Sequence, residues 1–268
     1  NTGLGNCILM SAMVNRYCYE RRIVAEFANN GDDCVVIMEA SELDKFVTGL
    51  NAWFTQYGFT MKVEAPVYVF EEIEFCQTKP VFVPARGWIM IRDPRVVMEK
   101  DCIKINPVDS MQEYDVWRST VGIGGLSLND GVPVLPQFYK ALKGTSIATP
   151  NWKIPELARS GFRYMAKGLK YCNLAVDEAT RTSFFKAFGI TPEHQIELEI
   201  RLSQTSEKIT PNDSGTEHAV SPTITFPIYL AAHFYEKRQQ TTYFKENYPE
   251  HKFKCHKTKT KPNQNPFE

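Results

Sequence analysis

The chain carries no excess of charge of either sign. Lysine plus arginine number 31, aspartate plus glutamate also 31, and the formal net charge is zero. A uniformly basic, nucleic-acid-binding surface is therefore excluded, and any such surface has to be local. The seven cysteines form no CxxC pair and no paired spacing. This argues against a zinc ribbon or a disulfide framework, and for reduced, intracellular thiols. No run approaches the roughly 18 consecutive apolar residues of a membrane span. The start lacks the basic-then-apolar layout of a signal peptide. It also lacks an initiating methionine, since the chain opens on "NTGLGN", and the expectation is a fragment or processed product whose upstream part is missing. What remains is ordinary: 268 residues, 43% hydrophobic and 23% charged, enough for one large domain or two modest ones with a proper core.

Apolar residues at Leu4, Ile8, Leu9, Met13 and Val14 have helical spacing, and the segment ends in a basic turn at residues 21–22. "IVAEFA" and "CVVIME" read as strands on either side of "NNGDD", and Asn30-Gly31 predicts a hairpin turn. "SELDKFVTGLNAWFTQYGF" predicts one amphipathic helix capped by Ser41, with Leu43, Phe46, Val47, Leu50, Trp53 and Phe54 along its face. "TMKVEA", "VYVFEEIEFCQTK" and "PVFVPARGWIMI" read as short strands. Residues 1–92 thus form an α+β unit with an antiparallel sheet.

From residue 93 the pattern turns helical, with Gly/Pro punctuation between segments. "DPRVVMEKDCIK", "SMQEYDVWRSTVGIGGLSL", "LPQFYKALKG", "WKIPELARSGFRYMAKGL" and "DEATRTSFFKAFG" are the helical runs. "TPEHQIELEIRLSQ" follows, with Thr191 as cap and Pro192 in first position. The glycines of "VGIGGLSL" sit within a helical pattern and are not a dinucleotide loop. A mainly helical domain spans 93–247. The tail, 248–268, has five lysines between residues 251 and 262 and no acid there, so it is expected to be disordered. His251, Cys255 and His256 in that tail make a poor zinc site.

Two elements carry chemistry. Asp32 and Asp33 adjoin at the hairpin, where hard carboxylate oxygens suit Mg²⁺, with Mn²⁺ as a substitute. Two such ions can clamp the attacking and leaving oxygens of an in-line phosphoryl displacement. The second element is "NTGLGN" at the start of the first helix, where free backbone N–H groups favour anions. Gly3 and Gly5 would let a ligand approach closely. Thr2 and Asn6, four apart, share a helical face and offer a hydroxyl and an amide for reading a sugar.

In this order the two elements resemble the palm of viral RNA-directed RNA polymerases. "TGLGN" is similar to the end of that family's motif B, Ser-Gly-x-x-x-Thr-x-x-x-Asn, with Thr2 and Asn6 in its Thr and Asn places. "GDD" is similar to motif C, and 24 residues lie between Asn6 and Gly31. The wording "NTGLGNCILM…ANNGDDCVVIME" resembles tombusvirus-type replicases, including the carmovirus group. "QYGFTMK" resembles motif D, although its lysine, Lys62, comes after the Tyr-Gly. "FCQTKPVF" resembles motif E, which makes Lys79 a candidate contact to the RNA backbone.

The resemblance implies a partial palm over 1–92, a helical thumb over 93–247 and a basic tail. It makes Asp32 the principal metal ligand and Asp33 a secondary one, both catalytic, with Thr2, Gly3 and Asn6 at the nucleotide and its ribose. Lys62 and Lys79 are its RNA-binding candidates. The implied activity is templated nucleotidyl transfer from nucleoside triphosphates to an RNA 3′ end. Its partners are template and nascent RNA, nucleoside triphosphates, the upstream fingers and motif A of the same polymerase, and other viral replication proteins. Its place is the host cytoplasm, at membrane-associated replication complexes. Because motif A supplies another metal-binding aspartate, this chain alone is expected to be inactive. Two alternatives stay open: a reverse-transcriptase-like palm polymerase, and a non-enzymatic helical module that binds RNA or protein.

Overall fold

The structure is a computed structural model, and it describes residues 2–103, 110–144, 151 and 162–204. By contacts the chain divides into two units, Asn1–Pro222 and Thr223–Glu268, and every described residue lies in the first. The expected tail, its His251, Cys255 and His256, and the segment 152–161 lie outside the described residues.

Helix α1 runs Thr2–Arg21, followed by an antiparallel hairpin of β1 (Ala25–Asn30) and β2 (Asp33–Met38). The buried side of α1 differs from the expected one. Val14, Tyr17 and Cys18 are buried with Met10 and Met13 beside them, whereas Leu4, Ile8 and Leu9 are exposed. Residues 10, 13, 14, 17 and 18 follow the i, i+3, i+4 rule on one face, and residues 4 and 8 fall on the other. Tyr17 bolts the helix down: its hydroxyl donates to the Phe46 carbonyl at 2.6 Å, and its ring meets Phe46 and Trp53 edge-on. The inward residues of β1 and β2, among them Phe27, Cys34 and Val36, complete this core.

The single helix expected over 41–59 is broken. A 3₁₀ turn, Ala40–Glu42, leads into α2 (Leu43–Val47) and, after a break, α3 (Leu50–Thr55). Ser41 caps nothing, because the N-cap positions fall on Glu39 and Glu42 and neither bonds through its side chain. The break comes at Gly49, whose φ is +74°, with the Arg21 guanidinium 3.0 Å from where a Cβ would stand. The left-handed backbone favours glycine here, whereas the Arg21 side chain is flexible and could yield. Phe46, Leu50 and Phe54 still reach the core, as their spacing requires, while Val47 stays exposed.

The strands expected over 60–73 are also absent. Residues 59–69 have no regular structure, and Phe70–Glu72 forms a 3₁₀ turn. Their apolar content is real, but Val63, Val67 and Tyr68 are exposed and no described strand pairs with them. The second hairpin is β3 (Thr78–Val83) with β4 (Gly87–Arg92). It is separate from the first, so the described residues hold two two-stranded sheets where a single sheet was expected.

Several helices beyond residue 93 start on a capping side chain, the expected Thr191 among them. In α4 (Pro94–Lys100) Asp93 accepts from Arg95 N–H, and in α5 (Met111–Leu128) Ser110 accepts from Glu113 N–H. Helix α6 spans Leu135–Lys143 and α7 Phe162–Ala166. Helix α8 (Glu178–Phe188) is capped by Asp177 and closed by Gly189 at φ +70°. Helix α9 (Pro192–Ser203) begins on Thr191, whose hydroxyl accepts from His194 N–H, with Pro192 at its start. Gly122 and Gly125 lie inside α5 where it meets α6: a Cβ on Gly125 would come within 2.2 Å of the Tyr139 ring. Helix α8 packs on β3 and on the 70–72 turn. There Ser183 receives the Phe82 N–H and donates to the buried Glu71 carboxylate at 3.1 Å. The architecture is α+β. Among the described residues no helix is long and apolar enough to cross a membrane.

Candidate active site

Six strand residues on each side leave a loop of only two residues, because Asn30 pairs with Asp33. The turn is therefore centred on Gly31-Asp32, one residue later than the expected Asn30-Gly31. Gly31 has φ +80° and Asp32 is not among the residues of positive φ. This is the sign pattern of the II′ hairpin turn, which wants glycine first. Asp32 thus sits at the tip and Asp33 opens β2, both exposed. Among the described residues neither carboxylate has a hydrogen bond or an ion pair, so both are available to a cation.

The tip is held from two sides. Strand alternation sends Asn29 to the inner face, with Phe27, and Asn30 to the outer one. Asn29 Nδ2 donates to the Cys7 carbonyl at 2.9 Å and to Ser11 Oγ at 3.2 Å, both on α1. The buried Gly31 N–H donates to Cys7 Sγ at 3.0 Å. On the far side Asn30 Nδ2 donates to Cys76 Sγ at 3.2 Å. Cys76 and Gln77 form the tight turn between Phe75 and Thr78, with φ of +53° and +61°. Non-glycine residues with positive φ at both central positions carry strain, a feature concentrated at functional sites. None of Asn29, Cys7, Ser11 or Cys76 was singled out from the sequence. The available signal was strand parity, which places Asn29 in line with the inward Phe27.

Asn6, next to Cys7, is half-buried and its side-chain amide has no hydrogen-bond partner among the described residues. It lines a broad cleft of ≈ 1160 Å³ together with Asp32, Asp33, Lys62 and Lys79. Five of the seven candidates are thereby brought to one cleft. Lys62 is fully out in solvent, 3.6 Å from Glu64, and Lys79 is a half-buried β3 residue. Gly3 does not border the cleft, and nothing lies within 4 Å of where its Cβ would be. Thr2 opens α1, and its side chain lies outside the described residues. Cys34, directly after the acidic pair, points into the core, and burial pushes its thiol up to about 11, helped by Cys18. It is an inert thiol at neutral pH.

Among the described residues no group of three or more His, Cys, Asp or Glu side chains could hold a metal ion. The two tip carboxylates nevertheless fit a hard divalent cation in donor type, because carboxylates are hard oxygen donors and neither is ion-paired among the described residues. Two adjacent carboxylates at a hairpin tip are thus latched to a helix whose Asn6 amide has no hydrogen-bond partner among the described residues.

The chain belongs to the viral RNA-dependent RNA polymerase family, whose model matches residues 1–210. It is 42% identical over 200 residues to the RNA-directed RNA polymerase of Tobacco necrosis virus (strain A), a stretch covering 75% of this chain and 28% of that protein. It is 41% identical over 200 residues to that of Carnation mottle virus, covering 74% and 26%. It is 38% identical over 206 residues to that of Tomato bushy stunt virus (strain Cherry), covering 76% and 24%. The tombusvirus-type resemblance is borne out. The chain spans about a quarter of the length of these relatives.

Proposed function

We propose that this chain is the part of an RNA-directed RNA polymerase that carries the acidic hairpin and the sugar-reading helix. In the complete enzyme the 3′-hydroxyl of the nascent RNA attacks the α-phosphate of a templated nucleoside triphosphate. The new phosphodiester bond forms as the bond to pyrophosphate breaks. Family membership together with one observation carries this reading: the Gly31-Asp32 turn is latched to α1, so that Asp32, Asp33 and Asn6 border a single cleft.

Each residue then has a task. Asp32, with Asp33, would hold the divalent cation, Mg²⁺ or Mn²⁺ in its place. When bound, that ion supplies positive charge to the attacking and leaving oxygens. Asn6, whose amide has no partner among the described residues, offers it to the ribose 2′-hydroxyl. Thr2 offers a hydroxyl to the same nucleotide, and Gly3 beside it leaves room for close approach. Lys62 and Lys79, on the same cleft, would neutralise RNA phosphate charge. In this reading residues 1–92 are the palm's share and 93–247 the thumb. The fingers and a further carboxylate come from the rest of the polymerase. The exposed Leu4, Ile8 and Ile37 support packing of that remainder against α1 and β2.

The test is Asp32→Asn in the polymerase at the full length of its relatives. The turn accepts asparagine at this position, so the expected outcome is an unchanged melting temperature with loss of cation-dependent synthesis. Asp33→Asn retains more activity. Near-normal synthesis by a folded Asp32→Asn enzyme overturns the reading.

A further inference from the structure

Cys7 and Ser11 present three hydrogen-bond acceptors on successive turns of α1, and the hairpin tip uses all of them. Two of the three bonds come from one side chain, Asn29. Its orientation follows from chemistry, since a main-chain carbonyl accepts only from the amide nitrogen and not from the amide oxygen. We propose that Asn29 is a positioning residue, which fixes the metal-holding turn at Asp32 against the sugar-reading helix at Asn6. The proposal rests on the polymerase reading above and adds to it a residue that touches neither metal nor nucleotide.

The location of these bonds separates positioning from ordinary packing. The body of the hairpin already adheres to α1 through Phe27, Val36 and Met38, which pack on the Val14–Tyr17 core. Polar contacts are not needed there to bury apolar surface. Among the described residues they occur at the tip, from Asn29 and Gly31, within three residues of Asp32, to Cys7 and Ser11, one and five residues along α1 from Asn6. Such a contact removes the freedom of a two-residue turn to swing relative to α1. A turn that swings presents its carboxylates poorly to a cation and presents the cation poorly to a nucleotide held at Asn6. Small misplacements of this kind cost rate far more than stability. The opposite latch, Asn30 to Cys76, is a single exposed bond to sulfur, and sulfur is a weak acceptor. Asn29 therefore dominates.

The experiment uses the complete polymerase on a primed template. Four variants are compared with the parent: Asn29→Ala, Ser11→Ala, Asp32→Asn and Leu198→Ala. The last removes a buried side chain of α9 and so lowers stability far from the tip. Three quantities are read: melting temperature, the Mg²⁺ concentration for half-maximal rate, and the preference for ribonucleotides over 2′-deoxyribonucleotides. Losing two hydrogen bonds corresponds to a shift of roughly tenfold. Asn29→Ala should raise the half-maximal Mg²⁺ by about that factor and narrow the sugar preference with it. Ser11→Ala, which keeps a good helix former, should move both in the same direction by less. Leu198→Ala should lower the melting temperature and move neither.

An Mg²⁺ requirement and sugar preference unchanged in Asn29→Ala, with a melting loss like that of Leu198→Ala, overturn the proposal. Should Asn29→Ala fail to fold, Ser11→Ala decides in the same way, and no change in it overturns the proposal. The Asp32→Asn arm keeps the two readings apart. A dead Asp32→Asn beside an Asn29→Ala that behaves like Leu198→Ala removes only the latch. An active Asp32→Asn removes the polymerase assignment beneath it.

Discussion

Replacing Asn6 by alanine separates a substrate-reading amide from a structural one, because the two roles predict opposite signs for stability. Asn6 lies in α1, half-buried, and its side-chain amide donates to or accepts from no described group. Removing it therefore breaks no internal hydrogen bond. Alanine is the better helix former by about 0.5 kcal/mol, so Asn6→Ala should leave the melting temperature unchanged or raise it slightly. A structural asparagine would behave in the reverse manner, since deleting it would leave its partner unsatisfied and lower the melting temperature.

The functional magnitude follows from the same burial. A hydrogen bond at a half-buried position contributes about 0.5–1.5 kcal/mol net, and 1.4 kcal/mol is a factor of ten. If the amide reads the ribose 2′-hydroxyl, Asn6→Ala should reduce the ribo- to deoxyribonucleotide ratio roughly twofold to tenfold. The loss falls on the ribonucleotide, because the 2′-deoxyribonucleotide never made the contact. The assay is kcat/KM for one nucleoside triphosphate and its 2′-deoxy counterpart, by the full-length enzyme on one primed template, with a parallel melting curve. Equal losses on both substrates, or an unchanged ratio with a lowered melting temperature, would refute the reasoning and take Asn6 out of the site.

Gly125→Ala should destabilise the α5–α6 contact by about 1–3 kcal/mol or more. Its Cβ would meet the Tyr139 ring at 2.2 Å, and that ring is held in place by the Tyr139 hydroxyl donating to Asp101 at 2.8 Å. Gly5→Ala, with nothing within 4 Å, should instead stabilise α1 by about 1 kcal/mol, and paired thermal melts check both signs. Burial raises the Cys34 thiol from an ordinary 9.0 to about 11, so its thiolate fraction near neutral pH is roughly a hundredfold below that of a free thiol. Iodoacetamide should label Cys34 correspondingly slowly in the native protein and quickly after unfolding. The same shift fixes a stability trend. The unfolded thiol ionises near 9 and the folded one near 11, so the Cys34 contribution is intact below pH 9 and is lost as pH climbs to 11. Denaturant melts across that window should show the decline in the parent and a smaller one in Cys34→Ala.

Features that depend on a few neighbouring residues were legible in the sequence. Thr191 with Pro192, Ser110 with Glu113, and Asp177 each bond a backbone N–H two or three residues away, so their helix starts follow from local chemistry. The acidic turn was legible for the same reason, since a glycine between two β-prone runs has few other uses. What was missed depends on distant partners. The helix over 41–59 breaks at Thr48-Gly49, where the backbone turns extended and then left-handed, while Phe46, Leu50 and Phe54 on either side reach a core built with α1 and the first hairpin. Residues 60–73 have strand composition but no described strand to pair with, and a strand is a relation between segments before it is a property of one. The left-handed turn at Cys76-Gln77 lacks the Asn or Gly that announces such turns.

The site divides along the same line. Residue types suited to binding a cation or a sugar could be named one by one, because oxygen donors have the same chemistry wherever they stand. Their mutual placement could not be read this way. It depends on Asn29 reaching Cys7 and Ser11 across 22 and 18 residues of sequence, and on Cys76 meeting Asn30 across 46. Cys7, Ser11, Asn29 and Cys76, polar residues of modest individual character, hold the tip, and none of them was a candidate read from the sequence. The candidates that carry charge toward a ligand are thus visible in one dimension, whereas those that aim the charge become visible only when α1, the first hairpin and the 75–78 turn are brought together. Substitutions at Cys7, Ser11 and Asn29 should therefore resemble weakened versions of Asp32 substitutions in their cation dependence, while leaving every recognisable motif intact.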